Sequence, residues 1–158
     1  MDVGVIGVGT MGRNHVRVYT ELKDVDNVYL YDVDGAAARR MSEQYGEGVE
    51  VSDSITSLLD TVGLVSICAP TKYHFELARQ AVEMGIHCLI EKPICSTSEE
   101  AAQHLNLNMA RIKEKMRTPV IMDGRNAYDT VECEQAGFVY KGVGKPREKA
   151  DMKKELIH

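Results

Sequence analysis

Three glycines at a fixed spacing constrain the fold of this chain more than any other feature of its sequence. Gly7, Gly9 and Gly12 stand in GxGxxG register within VGVIGVGTMG, between a β-branched run and a helical pattern. This context predicts a strand, a tight turn and a helix, with the first glycine in the turn, the second beside a bound diphosphate and the third at a close helix contact. The amides and positive dipole end of the helix, including Thr10 and Met11, would bind the phosphates.

An acidic residue follows the glycine turn at the distance expected for a nucleotide site. Asp32 ends the run YLYD, 20 residues after Gly12, where a carboxylate accepts hydrogen bonds from the adenosine ribose. Because the carboxylate would repel a 2′-phosphate, the pattern favours NAD as the cofactor. Two alternatives stay open: Asp32 could only cap the following turn, although Asp34 is the better capping candidate. NADP also stays open, because Arg39 and Arg40 lie one turn into the next predicted helix.

Strand and helix patterns alternate along most of the chain, which predicts an α/β fold. We expect a Rossmann-type doubly wound parallel sheet with helices on both faces, in a single three-layer domain over residues 1–145. Residues 119–145 would complete the sheet with a sixth strand, and residues 146–158 would form a charged tail. The predicted strands are Val3–Ile6, Val28–Tyr31, Val49–Val51, Leu64–Cys68, His87–Ile90 and Pro119–Met122. The predicted helices are Met11–Leu22, Ala36–Tyr45, Ile55–Asp60, Tyr73–Met84 and Ser98–Met116.

Composition and charge exclude several classes of protein. With 44% hydrophobic and 27% charged residues in 158, the chain is expected to fold into a packed globule. Its net charge of -5 argues against a nucleic-acid partner. No apolar run approaches the ~20 residues of a membrane span, and the first residues do not resemble a signal peptide. The four cysteines lack the spacing of a zinc site or a disulfide framework, so we expect no metal and a cytoplasmic location.

Two further segments are expected to face the cofactor. In an open α/β sheet, ligands bind beyond the carboxyl ends of the strands, near the point where the strand order reverses. The segment CAPTKYH follows the fourth predicted strand, and EKPI follows the fifth. The cofactor-binding candidates in these segments are Ala69, Pro70, Thr71, Glu91 and Lys92.

Taken together, these motifs resemble a known family. The glycine turn with His15 three residues after its last glycine, the strand-end Asp32, APTKYH and EKPI are similar to the N-terminal NAD(P)-binding domain of the Gfo/Idh/MocA oxidoreductases, over about residues 2–105. The resemblance implies an NAD(P)-dependent oxidoreductase acting on a sugar or nucleotide sugar. It also implies that Lys92 lies beside the nicotinamide and the substrate hydroxyl.

The resemblance and the residues themselves leave alternatives at three positions. A lysine held at a partly dry strand end can stabilise a developing alkoxide or exchange its proton, but Lys92 could instead be an ordinary solvent-facing residue. His74 could border the nicotinamide pocket and act in catalysis, or it could satisfy a local hydrogen bond. For His15 we favour packing or a local hydrogen bond.

The family pattern breaks in the last third of the chain. Typical members continue into a large α/β domain that covers the site and supplies an Asp-x-x-x-His pair, and this pair has no match here. Residues 119–145, beginning PVIMDGRN, instead resemble the C-terminal segment of UDP-glucose/GDP-mannose dehydrogenases. That resemblance implies Arg125 as a substrate-binding residue, although an ion pair with Asp123 or Asp129 is an equal alternative. The cysteine-nucleophile motif of those enzymes is missing, so no covalent mechanism is expected.

These breaks leave two functions in competition. The first is the sugar or nucleotide-sugar oxidoreductase, with a homo-oligomer or partner chain covering the nicotinamide, because exposure to water weakens positioning and catalysis. The second is a stand-alone NAD(H)-binding module or regulatory subunit that lacks its own substrate domain. Neither function involves nucleic acid or a membrane.

Overall fold

A computed structural model describes residues 1–92, 120–123 and 130–142. The chain divides into two compact units, Met1–Arg117 and Thr118–His158. The described part of the first unit alternates between strands and helices. Its elements are β1 (Val3–Ile6), α1 (Thr10–Glu21), β2 (Val28–Tyr31), α2 (Gly35–Tyr45), β3 (Val49–Val51), α3 (Ile55–Thr61), β4 (Leu64–Ile67), a single 3-10 turn (Thr71–Tyr73), α4 (His74–Glu83) and β5 (His87–Ile90).

The five strands form one parallel sheet in the order β3-β2-β1-β4-β5. The order reverses between β1 and β4, so the carboxyl ends of these two strands flank the switch point at which dinucleotides bind in such sheets. The predicted α/β Rossmann fold is therefore confirmed. The fourth strand ends at Ile67, one residue before the predicted end, and the predicted helix Ser98–Met116 lies outside the described residues.

The central strands β1 and β4 are almost entirely apolar and largely buried, whereas the edge strand β5 exposes Leu89. Successive side chains of β1 point to opposite faces, so Val3 and Val5 pack in the cluster that contains α1 and α2 residues. Ile6 packs on the other side, in the cluster that α3 and α4 complete. The core thus places α1 and α2 on one face of the sheet and α3 and α4 on the other.

Capping residues set the helix ends. The Asp34 carboxylate accepts hydrogen bonds from the amides of Ala36 and Ala37 at 3.0 and 3.2 Å, so the prediction that Asp34 caps α2 is confirmed. Gly85 follows α4 with φ of 78°, a conformation that L side chains rarely adopt, and its N–H donates to Val82 O at 3.0 Å. These local signals explain why α2 and α4 begin and end close to the predicted positions.

The second unit contains a smaller βαβ segment. Its described elements are β6 (Val120–Asp123), α5 (Thr130–Gln135) and β7 (Val139–Gly142), and β6 pairs with β7 in a parallel two-stranded sheet. This pairing differs from our expectation that residues 119–145 add a sixth strand to the main sheet. The two strands are close in sequence, so closing the loop between them costs little conformational entropy. The predicted tail, 146–158, lies outside the described residues.

Within the described ranges, none of the helices has the length and apolar character needed to cross a membrane.

Candidate dinucleotide-binding site

The turn between β1 and α1 touches the backbone that leaves β4. Gly7 has φ of 91°, which favours glycine, and a Cβ at this position would lie 2.7 Å from Ala69 N. Gly7 N–H also donates to Tyr31 O at 2.8 Å, which ties the same turn to β2. Any larger residue at Gly7 would therefore push apart the two loops that border the switch point.

The other two glycines of the turn have opposite surroundings. A Cβ on Gly12 would stand 1.9 Å from Gly7 O, so only glycine lets α1 approach the turn this closely. A Cβ on Gly9 would meet no atom of the chain within 4 Å. Gly9 is the N-cap of α1, and no side chain caps this helix in the described structure. The open side of Gly9 is the approach that a diphosphate needs to reach the helix N-terminus, and the exposed Thr10 and Met11 form its first turn.

Asp32 is held against the glycine turn by two backbone amides. Its carboxylate accepts hydrogen bonds from Val8 N at 2.7 Å and from Asp34 N at 2.9 Å. The bond from Asp34 N corresponds to the alternative role of Asp32, which is to cap the turn that follows it. The two roles are compatible, because a carboxylate has about four acceptor sites and Asp32 is only partly buried. A ribose hydroxyl can therefore still donate to it.

Two arginines lie near the start of α2, close to the position where NAD and NADP differ. Arg40 Nη2 is 3.6 Å from the Asp34 carboxylate, an exposed pair of small energetic weight. Arg39 folds back toward the helix start, with Nη1 3.4 Å from the point where a Gly35 Cβ would stand. Arg39 is thus a cationic group beside the Asp32 turn.

The segment after β4 is held by a buried histidine. His74 is 1% exposed, and its Nε2 lies 2.7 Å from Ala69 O. This contact fixes the backbone at Ala69, where the segment Ala69–Thr71 begins. Pro70 is exposed at the start of the 3-10 turn. The local hydrogen bond that we considered for His74 is present, while its catalytic role stays a prediction.

The end of β5 is joined to α1 by a network of polar side chains. His15 Nε2 is 2.9 Å from a Glu91 carboxylate oxygen, and His15 Nδ1 is 3.0 Å from Ser66 Oγ. Tyr19 Oη lies 2.6 Å from the same Ser66 oxygen. The second Glu91 oxygen accepts a hydrogen bond from Lys92 N at 3.2 Å. The network therefore links the strand that precedes Lys92 to the helix that follows the glycine turn.

Burial and charge differ along this network. Ser66 is fully buried at 0% exposure, whereas the side chains of His15 and Glu91 are 14% and 20% exposed. The hydrogen bond from His15 lowers the pKa of Glu91, so this carboxyl is ionised at neutral pH. Burial, partly offset by the hydrogen bond with Ser66, raises the pKa of Tyr19. Lys92 itself is exposed, so the partly dry surroundings that we expected for it are not provided by the described residues.

Sequence reasoning assigned no role to Ser66 or Tyr19 and expected only packing or a local bond for His15. Two signals could have indicated the network. Ser66 is the only hydroxyl residue in the apolar strand Leu64–Ile67. His15 and Tyr19 are four residues apart, which places them on one face of α1.

Two cysteines of the main sheet, Cys68 directly after β4 and Cys88 within β5, are not suited to nucleophilic chemistry. Burial raises the pKa of Cys68 and of Cys88 to about 12, with Glu91 adding to the effect at Cys68. Both are therefore neutral thiols near pH 7. Cys133 is buried in the second unit, and Arg125, the predicted substrate contact, lies outside the described residues. Across residues 1–92, 120–123 and 130–142, no group of three or more His, Cys, Asp or Glu side chains could hold a metal ion.

Comparison with known proteins agrees with this geometry. Residues 1–117 match the Gfo/Idh/MocA group, described as an oxidoreductase family with an NAD-binding Rossmann fold. The chain belongs to this family. NAD is accordingly its cofactor class, and the open approach at Gly9 and the acceptor at Asp32 fit that dinucleotide.

Several relatives are dehydrogenases of sugars or related polyols. UDP-N-acetylglucosamine 3-dehydrogenase of Acidithiobacillus ferrooxidans is 37% identical over 122 residues, which are 72% of this chain and 37% of that protein. Its solved structure aligns with a TM-score of 0.60 at 34% identity, over 73% of this chain and 34% of that one. The solved myo-inositol dehydrogenase of Lactobacillus casei, in complex with NAD(H) and myo-inositol, aligns with a TM-score of 0.60 at 29% identity, over 73% and 32% of the two chains.

These matches have limited extent. The chain spans about a third of the length of the relatives that it matches, for example 37% of the Acidithiobacillus protein. The similarity to UDP-glucose dehydrogenases is shorter still: the Pseudomonas aeruginosa UDP-glucose 6-dehydrogenase is 46% identical over 37 residues, 23% of this chain and 8% of that protein. The resemblance of residues 119–145 to that group, and the role of Arg125, stay predictions.

Proposed function

We propose that the chain carries the dinucleotide-binding part of an NAD-dependent oxidoreductase that acts on a sugar or nucleotide sugar, with Lys92 near the reacting hydroxyl. The observation that carries the cofactor half of this proposal is the Asp32 carboxylate, 2.7 Å from the Val8 amide, beside the open approach at Gly9. The substrate half is supported by the relatives described above, whose names specify UDP-N-acetylglucosamine and myo-inositol as substrates.

The strand order supports the assignment of Lys92. Because β5 pairs with β4, which pairs with β1, the segments after all three strands share one edge of the sheet. The diphosphate would lie at the start of α1, and the nicotinamide half would extend from the switch point toward β4 and β5. Lys92 is the cationic residue that follows β5, after Glu91.

The chemistry that follows is alcohol oxidation. NAD, when bound, supplies the hydride acceptor. The Lys92 ammonium would stabilise negative charge that develops on the substrate hydroxyl oxygen, or exchange the proton that this oxygen loses. Since Lys92 is exposed, water would compete at the same position. We therefore include in the proposal a second subunit or partner chain that covers the site. A cytoplasmic location is also part of the proposal.

Titration calorimetry and turnover with a substrate panel test this function. The panel contains UDP-N-acetylglucosamine, a D-glucoside, glucose 6-phosphate and myo-inositol, each with NAD and with NADP. We expect Lys92→Ala to bind NAD within about threefold of the wild type and to lose about 10²–10⁴-fold in kcat, the usual contribution of a positioned acid or base. Lys23→Ala, which removes another exposed lysine, in the connection between α1 and β2, is the matched control.

Two outcomes would change the assignment. Unchanged turnover in Lys92→Ala would remove the lysine from the mechanism. NAD binding without turnover of any panel member, alone or with candidate partner chains, would favour the stand-alone NAD(H)-binding module.

A further inference from the structure

The polar network at the end of β5 has a defined direction of hydrogen bonding. The ionised Glu91 carboxylate can only accept, so the proton between it and His15 belongs to His15 Nε2. In the neutral ring, Nδ1 is then an acceptor, and the Ser66 hydroxyl donates to it at 3.0 Å. The Tyr19 hydroxyl in turn donates to Ser66 Oγ at 2.6 Å. Each of these groups is satisfied in this arrangement.

The alternative ring tautomer would break the network. A proton on Nδ1 instead of Nε2 would leave two acceptors, Nε2 and the Glu91 carboxylate, facing each other at 2.9 Å. Two acceptors facing each other in this partly buried contact would lose a hydrogen bond, at a cost of about 1–3 kcal/mol. Ser66 fits either tautomer, because its hydroxyl can donate to Nδ1 or accept from it while it stays bonded to Tyr19. The Glu91 carboxylate therefore selects the tautomer that donates to it.

Glu91 contacts both His15 and the backbone of Lys92. One carboxylate oxygen accepts from His15, and the other accepts from the backbone N–H of Lys92 at 3.2 Å. The backbone N–H of Glu91 donates to Ile67 O at 3.0 Å, which fixes the same residue to β4. The direction in which the chain leaves β5 is thus held from α1 and from β4.

We propose that His15 is a positioning residue for Lys92: its Nε2–H ties Glu91, and through it the Lys92 backbone, to helix α1, while its Nδ1 is anchored at the buried Ser66. The N-terminus of α1 is the predicted diphosphate site, so one helix sets both the cofactor and the lysine. The effect on catalysis rests on the proposed function of Lys92, whereas the hydrogen-bond arrangement does not.

Kinetics test the catalytic consequence. We expect His15→Ala to lower kcat by about 10–100-fold, the order of effect of a misplacement of ~1 Å, with the Kd for NAD within about threefold of the wild type. His15→Gln, whose amide can still donate toward Glu91, should recover most of the lost kcat. Arg17→Ala is the matched control, because Arg17 lies on the same helix, is exposed and pairs with the exposed Glu21 at 3.0 Å. A loss of thermal stability in His15→Ala with unchanged kcat would overturn the positioning role.

Nuclear magnetic resonance tests the arrangement without any turnover. Ring ¹⁵N spectra of the full chain near neutral pH should show His15 with its proton on Nε2, and Glu91→Ala, which removes the acceptor, should increase the fraction of the other tautomer. The Lys92 amide resonance should shift in His15→Ala and stay in place in Arg17→Ala. A His15 ring with its proton on Nδ1 in place of Nε2, or a Lys92 amide resonance that does not shift in His15→Ala, would refute the inference. A wild-type protein without turnover but with the expected spectra would count against the proposed function alone.

Discussion

Substituting alanine at Gly9 and at Gly12 separates what the fold requires from what a ligand requires. The two changes add the same methyl group, three residues apart on the same turn. At Gly12 the new Cβ would stand 1.9 Å from Gly7 O, and real Cβ contacts are essentially never shorter than 3.0 Å. Helix α1 would have to retreat by at least 1.1 Å, the difference between these distances. At Gly9 the new Cβ would meet no atom within 4 Å.

The expected magnitudes differ accordingly. Overpacking of this kind costs about 1–3 kcal/mol, so Gly12→Ala should lower Tm by roughly 4–12 °C at ~4 °C per kcal/mol. Gly9 has φ of -65° and ψ of -160°, an extended conformation that alanine can adopt, so Gly9→Ala should change the free energy of unfolding by no more than about 0.5 kcal/mol. Its methyl group would instead occupy the approach of the diphosphate. Losing one hydrogen bond to that charged group would weaken NAD binding by about 1.5–3 kcal/mol, roughly 10–100-fold.

One melting assay measures both effects. NAD at about 100 times its Kd should stabilise the wild type by ~2.7 kcal/mol, and this gain should shrink strongly in Gly9→Ala. Gly12→Ala should melt early even without NAD. The reasoning fails if Gly9→Ala keeps the full stabilisation by NAD, or if it melts as early as Gly12→Ala in the absence of the cofactor.

Two further predictions concern the charged groups of the site. Asp32→Asn keeps an acceptor for the Val8 amide but removes the charge that repels a 2′-phosphate. Calorimetric titration should therefore show the ratio of NADP affinity to NAD affinity rising at least about tenfold. An unchanged ratio would contradict the predicted role of Asp32. Glu91 has a lowered pKa in the folded protein, chiefly through His15, so its stabilising contribution is present above its unfolded pKa of ~4.3 and is lost as the pH falls through the lower folded pKa. Urea denaturation of wild type and Glu91→Gln across this range should therefore show a stability difference at neutral pH that closes in acid. A constant difference would argue against a contribution from the ionised Glu91 carboxylate.

Local patterns were sufficient for the main sheet and the cofactor turn. The strands Val3–Ile6 and Val28–Tyr31 were predicted to the residue because β-branched runs lie between clear turn and cap signals. The glycine spacing and Asp32 predict the cofactor side of the site from the same kind of local signal. Each of these features depends on residues that are near one another in sequence or on a motif with a known register.

Features that depend on distant pairs could not be read in this way. The contact between His15 and Glu91 joins residues 76 positions apart, and the contact between His15 and Ser66 spans 51. No periodicity encodes such pairs, because they exist only after β4 and β5 have been placed beside α1. The pairing of β6 with β7 is a similar case: apolar content indicates a strand but does not choose its partner.

The spacing between the glycine turn and His15 on helix α1 limits how this chain can be recombined with its relatives in chimeric proteins. Deleting or inserting one residue between the glycine turn and His15 would rotate the ring by ~100° around the helix axis and shift it by ~1.5 Å along it. The imidazole would then point away from both Ser66 and Glu91, even if the glycine turn kept its shape. Chimeras should therefore exchange the stretch from Gly7 to Tyr19 as one block, together with the strand that contributes Ser66, and should place their crossover points in the exposed turn after Glu21.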